Sequence, residues 1–263
     1  MNHGKQFMIS LSVLIGYFIM FVINFIANGI MVSAMTLDDT LDPFQGVIYL
    51  FSNITYLTTT ICYMLVILAI YVRLKVVNDY IKEYISKDQT TVEEDCKAIT
   101  IVTILHSKIT ETTNLINICF SFNTVTYLFQ LVFFTIFFSF GFYHYIISQN
   151  SELTQLLLNV VTLQWILFYL IGIMWVIVLS CRIKSQGNLT AVLFHKMLIK
   201  KNNPKILKIV QLSALQFHHH SPEISCGMFK MDWSLMLTMI GAVFSYIIIL
   251  IQFDSTQNKI QVD

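Results

Sequence analysis

The chain has 263 residues, 56% of them hydrophobic and only 12% charged, with a mean hydropathy of +0.69 and a net charge of +1. Soluble domains carry about 25% charged residues, so this chain has too little polar surface to cover a water-soluble globule. The near-neutral balance excludes a basic nucleic-acid binder, and 9 Gly and 3 Pro exclude collagen-like and linker-rich classes. What remains is an integral membrane protein, mostly helical.

Charged residues bound five long uncharged stretches, 6–37, 43–72, 112–151, 153–181 and 233–253. A helix needs about 20 apolar residues to cross the bilayer core, and it satisfies its own backbone in lipid. Each stretch is therefore read as a span. The first is longer than the apolar core of a signal peptide, about 7–15 residues. Ser33 and Ala34 mimic a cleavage site there, but an uncleaved span is expected.

After the second stretch, Leu74, Val77, Ile81, Tyr84 and Ile85 share one helical face, with Lys75, Asp79, Lys82 and Glu83 elsewhere. Ser86–Thr90 breaks the run. Thr91-Val92-Glu93-Glu94 then reads as a capping box, and Ile101, Leu105, Ile109 and Ile116 continue a second apolar face. The 112–151 stretch is long enough for two crossings. Its first third holds Asn114, Asn117, Ser121, Asn123 and Thr124, and no Gly or Pro lies between 112 and 140 to form a hairpin. One crossing with a polar cytosolic extension is expected. Residues 188–221 carry another helical pattern, interrupted at Asn202-Asn203-Pro204 and stopped near Pro222. Such arms either lie on the membrane or bury their apolar faces against one another or neighbouring subunits. The second reading, a cytosolic assembly hub, is the sharper one.

Lys and Arg are retained on the cytoplasmic side. Six lie between the second and third spans and eight between the fourth and fifth, with Lys5 before the first and Lys259 after the last. Fifteen of the 16 fall inside if the N-terminus is cytosolic and the C-terminus outside, as five crossings require. The fold expected is an all-α membrane protein of about five transmembrane helices with long cytosolic helical extensions. Residues 1–72 hold the first two spans, 73–119 a cytosolic helical segment, 120–181 the third and fourth spans, and 182–231 a cytosolic anchor segment. The last span occupies 232–254, and 255–263 form an extracellular tail.

No catalytic set emerges, and an enzyme is not expected. The spans hold no Asp, Glu, Lys or Arg, where proton relays and transport sites declare themselves, and no nucleotide or hydrolase motif is present. Cys62, Cys96, Cys119, Cys181 and Cys226 show neither disulfide nor zinc spacing. His218-His219-His220 point in different directions on a helix without a carboxylate or Cys at ligand spacing, so no metal and no cofactor are expected. The sequons at Asn53 and Asn188 fall in a span and a cytosolic segment, where glycosylation is not expected.

The tail Phe244-Ser245-Tyr246-Ile247-Ile248-Ile249-Leu250-Ile251-Gln252-Phe253 resembles the signature of the insect gustatory receptor family, Thr-Tyr, five hydrophobic residues, then Gln-Phe, in its final transmembrane helix. Ser245 stands for the Thr and keeps the hydroxyl. Ser225-Cys226-Gly227-Met228-Phe229, the Leu212-to-His220 run and Ile104-Leu105-His106-Ser107-Lys108 resemble the family's approach to that helix and its cytosolic helix. The resemblance implies a plasma-membrane, multi-pass receptor for a small-molecule tastant. It implies a ligand-gated cation channel assembled as a homo- or heterotetramer with other gustatory receptor subunits, in contact with membrane lipids. Family members have seven spans; the resemblance implies that the five expected here correspond to the third to seventh, with no counterpart of the first two expected in this sequence. The alternative is a non-conducting membrane scaffold or truncated divergent relative. A secondary transporter is disfavoured by the lack of internal repeats and buried charges.

With Gln252 facing the axis, Ile249, Ile248, Ser245 and Gly241 share its stripe. From the residues alone this is either a buried core helix with one polar residue or a pore helix. The resemblance favours the pore, where apolar rings close by dewetting and Gln and Ser rings hydrate an ion. Asp254 is either an acidic ring at the outer mouth or an ordinary boundary carboxylate. Phe253 is either a gate element or an interfacial aromatic. Tyr56, Tyr63, Tyr143, Trp165 and Tyr169, with Tyr127, Tyr145 and Trp175 nearby, are either a ligand pocket or helix packing and an interfacial belt.

Overall fold

The computed structural model describes residues 43–87, 91–147, 153–200 and 221–260, with scattered positions between 12 and 33 and between 210 and 217. It has four long helices: α1 (Pro43–Ser86), α2 (Val92–Ile147), α3 (Leu153–Lys200) and α4 (Trp233–Ile260). Every described residue between 12 and 33 is also helical, and the rest of the first expected span lies outside the described residues. Among the described residues, four helices are long and apolar enough to cross a membrane.

At 1.5 Å per residue, α1, α2 and α3 are about 66, 84 and 72 Å long, against about 30 Å of hydrocarbon. The divisions read from charge at 72/73, 119/120 and 181/182 all fall inside unbroken helix. Within 112–147 the backbone makes one continuous helix, so no hairpin forms there.

The chain separates into two compact units. One gathers Met1–Cys62, Asn123–Trp175 and Trp233–Asp263; the other gathers Tyr63–Phe122 and Val176–Asp232. The second unit takes in the Lys- and Arg-rich segments between spans two and three and between spans four and five. Its core is built as the periodicity predicts on α1, where Leu74, Val77 and Ile81 are buried and Lys82 and Glu83 exposed. On α2 the expected face is buried at Ile109 and Ile116 and shifted before them. Ile101 and Leu105 are exposed, and the buried stripe is Ile99, Val102, His106, Ile109, Thr113 and Ile116. The expected face skipped His106 and Thr113 because polar residues were not counted as core.

The break between α1 and α2 is capped as its sequence indicates. Thr91 N–H donates to Glu94 Oε2 at 3.0 Å, and Glu94 N–H donates to Thr91 Oγ1 at 3.3 Å. Tyr84 Oη then donates to the buried Asp95 carboxylate at 2.6 Å, tying the two helix ends together.

α1 and α3 are held in register by a buried amide. Asn78 Nδ2 donates to the Gln186 carbonyl at 2.8 Å and to its Oε1 at 2.9 Å, while Thr190 Oγ1 donates to Asn78 Oδ1 at 2.7 Å. Asn78 and Thr190 are both 0% exposed. Nearby, a Cβ at Gly187 would meet Ser221 Oγ at 2.9 Å and Pro222 Cδ at 3.0 Å, so the absence of a side chain admits the 221–222 segment against α3.

His106 lies in the charged part of α2, before the uncharged stretch opens at Thr112. Its ring sits 4.2 Å from that of Phe217, which meets Phe194 edge-on at 4.8 Å. Its Nε2 is buried without a partner among the described residues, and burial pushes the imidazole from the ordinary 6.5 down to about 4. It is held neutral.

Two outcomes are expected. Asn78→Ala removes both hydrogen bonds to Gln186 and leaves the Thr190 hydroxyl only the Gln186 carbonyl at 3.1 Å, at a cost of about 2 kcal/mol, read as a lowered unfolding midpoint in detergent. His106 binds a proton more readily unfolded than folded, so its contribution to stability is level above about pH 6.5 and falls as pH drops toward 4. His106→Leu flattens that fall in a pH series of thermal melts.

Candidate functional site

The residues singled out by sequence cluster on α4 and on the segment that feeds it. Residues 224–231 fold back as a tight hairpin. Met231 N–H donates to the Ile224 carbonyl at 3.1 Å, Cys226 N–H donates to the Phe229 carbonyl at 3.0 Å, and Ser225 and Lys230 form an antiparallel bridge. Gly227 takes the first position of the two-residue loop with φ +79, where a side chain is strained. The Cys226 thiol is buried and donates to the Phe229 carbonyl at 3.4 Å.

Two contacts moor the hairpin. Asn117 of α2 donates through Nδ2 to the Glu223 carbonyl at 2.8 Å and accepts from Ser225 N–H at 3.1 Å. Glu223 accepts from Lys184 of α3 and from Lys230, both at 2.8 Å. The Lys184 ammonium, and after it that of Lys230, hold the Glu223 carboxyl below its usual value, and Glu223 raises Lys230 in return. From Met231 the chain passes through Asp232 directly into α4.

On α4, Gly241, Ser245, Ile248, Ile249 and Gln252 are all exposed, whereas Ala242, Val243, Ile247, Leu250 and Ile251 are half-buried. The stripe marked out by sequence is one open face. Tyr246 and Phe253 are exposed, and Asp254 is half-buried. Ser245 Oγ donates to the Gly241 carbonyl at 2.9 Å. Its proton is committed to the helix, while its lone pairs still face outward. Only 6% of the apolar stretch of α4 is buried within its own chain, against 56% for α3.

The aromatic candidates separate. Trp165 and Tyr169 are buried and stack at 5.7 Å, and Phe134 stacks on Tyr169 at 5.8 Å. Tyr127 meets Tyr169 edge-on at 4.7 Å and donates its hydroxyl to the Tyr169 carbonyl at 3.2 Å. Tyr63 belongs to the other unit, stacked on Phe120 at 4.8 Å. Tyr143 is half-buried against Phe140 at 6.4 Å. The side chains of Tyr56 and Tyr145, like His218–His220, lie outside the described residues. Sequence reading passed over two residues near this cluster in the chain. Gln130 Oε1 and Asn159 Nδ2 are buried without a hydrogen-bond partner among the described residues. Uncharged amides inside apolar stretches carry no periodic signal, and only their lack of partners marks them.

The family model of the 7tm chemosensory receptors matches residues 2–257. The chain belongs to this receptor family. Over 99 residues it is 31% identical to the putative gustatory receptor 28a of Drosophila melanogaster, covering 35% of this chain and 22% of that protein. Its fold is similar to that of the olfactory receptor OR5 of Machilis hrabei, with a TM-score of 0.72 and 15% identity in the complex with eugenol. The match covers 96% of this chain and 69% of that one. The ligand-free OR5 structure gives 0.69 and 14%, covering 95% and 67%. At these identities the structural likeness establishes the fold alone, an all-helical one; the family model and the four membrane-length helices make the chain a multi-pass member of the chemoreceptor family. The chain thus matches about a fifth of its gustatory relative's length. The family is one of receptors rather than enzymes.

Asn117 supplies both hydrogen bonds from α2 to the backbone of the hairpin segment. Asn117→Ala is expected to cost about 1–2 kcal/mol locally. Hydrogen exchange in peptides spanning 221–232 should then quicken while those of α3 around Thr190 stay protected.

Proposed function

We propose that this chain is a subunit of a ligand-gated cation channel of the gustatory type, detecting small molecules at the plasma membrane. Its N-terminus is cytosolic, its C-terminus is outside, and α4 faces the pore of a tetramer. The observation that carries this is the open stripe Gly241, Ser245, Ile248, Ile249 and Gln252 on a mostly apolar helix. Lipid offers the Gln252 amide no hydrogen bonds beyond those the protein itself supplies. Around a shared axis the same amide meets its symmetry copies and water.

Four Ile248 and Ile249 side chains would close the path by dewetting, and Ser245 and Gln252 oxygens would receive a dehydrating ion once it opens. Asp254, one residue beyond Phe253, would draw cations to the outer mouth. The family membership, the Ser245-Tyr246 and Gln252-Phe253 signature and the similarity to gustatory receptor 28a support the taste assignment. The OR5 fold, solved with eugenol, supports a small-molecule ligand. In this chain Trp165, Tyr169, Tyr127 and Phe134 are the aromatic group best placed to respond to one, with Gln130 and Asn159 offering unspent hydrogen bonds. Tyr56, Tyr63 and Tyr143 are retained as outlying candidates.

Recording from cells that express the chain with full-length relatives tests the pore. Asp254→Asn should lower cation conductance by up to about ten-fold at low ionic strength and less at high. Gln252→Ala should change the selectivity among monovalent cations. Unchanged conductance and selectivity in both variants would overturn the pore assignment. No current with any co-expressed subunit would support a non-conducting scaffold instead.

A further inference from the structure

A groove of about 300 Å³ opens between α1 and α2, lined by Leu65, Val66, Ala69, Ile70 and Arg73 on one side and Thr112 and Ile116 on the other. Its residues fall at helical spacing, one stripe on each helix, so the groove runs along both. Its composition changes along its length. Leu65, Val66, Ala69, Ile70 and Ile116 make an apolar trough, and Arg73 stands at one end beside the Thr112 hydroxyl.

Arg73 ends the uncharged stretch 43–72, and Thr112 begins the uncharged stretch 112–151. Both uncharged stretches therefore end at the same level of the groove, with Thr112 as the hydrocarbon boundary on α2, ahead of the 119/120 division. The guanidinium is exposed and makes no ion pair among the described residues. An apolar trough in the acyl region, capped by a cation at the headgroup level, has the polarity of one amphiphile.

We propose that this groove binds an anionic phospholipid of the cytoplasmic leaflet, with its phosphate on Arg73 and one acyl chain along Leu65, Ala69 and Ile116. An arginine matches a phosphate with two parallel hydrogen bonds, and the cytoplasmic leaflet is where anionic lipids concentrate. The groove belongs to the second unit, whereas α4 and the Trp165–Tyr169 cluster belong to the first. The leaflet rests on the cytosolic placement of the Lys- and Arg-rich segments proposed above, while the groove and its cation do not.

Mass spectrometry of the full chain, purified in mild detergent from membranes containing phosphatidylserine and phosphatidylcholine, tests this. Wild-type protein should retain phosphatidylserine over phosphatidylcholine, and added phosphatidylserine should raise its melting temperature. Arg73→Gln should lower the retained phosphatidylserine by about five-fold. Arg73→Lys should keep most of it. Lys97→Ala, an exposed change on α2 away from the groove, should keep all of it. Ala69→Trp should expel the lipid by filling the trough with the arginine intact. Soluble glycerophosphoserine should not raise the melting temperature, because it lacks the chain that fills the trough. Equal retention in Arg73→Gln and wild type, equal retention of the two lipids, or stabilisation by the soluble headgroup would overturn the proposal. So would an Arg73→Gln change in oligomer mass with lipid content unaltered, which would mean that a second copy covers the groove. An epitope placed after Asp263, read with and without permeabilisation, reports orientation separately, so a reversed chain and an empty groove give different results.

Discussion

A backbone amide in hydrocarbon has no partner except along its own helix. That constraint explains why α1, α2 and α3 run unbroken from the apolar stretches into the charged ones. A helix already formed in lipid continues at no nucleation cost into water. Once there, it must find tertiary contacts for itself. Among the described residues the two kinds of segment are joined by different chemistry. Where the chain is uncharged, α2 and α3 meet through rings, Tyr127, Phe134, Trp165 and Tyr169, with one hydroxyl reaching a carbonyl. Where it is charged, amides and ion pairs are added to the His106, Phe217 and Phe194 rings: Asn78 with Gln186 and Thr190, and Glu223 with two lysines, while Asn117 reaches Glu223 and Ser225 from the start of the uncharged stretch. Ring stacking tolerates sliding. A buried amide with all its hydrogen bonds filled does not, so the register of the helices is set on the charged side.

What was legible in the sequence follows the same division. The uncharged stretches, the all-helical class and the family signature on α4 could be read directly, because each is a local pattern of residue type. The capping box at Thr91 was legible for the same reason. The buried face of α2 was read correctly at Ile109 and Ile116 but one position away before them, since apolar periodicity selects Leu105 where packing selects His106. Phe217 and Phe194, which make that pocket for an imidazole, lie about 90–110 residues on in the chain. The hairpin at 224–231 was visible only as a motif. Its fold depends on Asn117, a residue more than a hundred positions earlier. Non-local partners leave no mark on a single sequence.

The aromatic candidates show the limit most plainly. Tyr63 and Tyr169 look alike in sequence, both inside apolar stretches, yet each stacks within a different unit. Residue type identified rings able to hold a ligand, but it carried no information about which rings meet. The two unpartnered amides, Gln130 and Asn159, were hidden for the opposite reason: their importance lies in a contact that is missing.

Exposure alone says little about α4, because lipid tails are as apolar as isoleucine and impose no drive to bury such a helix. Its polar and small positions are the informative ones. A Cβ at Gly241 would meet nothing within 4 Å, so packing inside this chain does not require glycine there. Ser245 spends its proton on the Gly241 carbonyl, which lowers the cost of placing a hydroxyl on that face without using its lone pairs. Gln252 completes the stripe two turns further on. A lipid-facing surface gains nothing from an absent side chain, a hydroxyl and an amide in one row. A surface that must approach copies of itself and admit hydrated ions gains from all three. The hairpin adds a mechanical element to this arrangement. It joins α4 without a flexible linker and is itself fastened to α2 and α3 through Asn117 and Lys184.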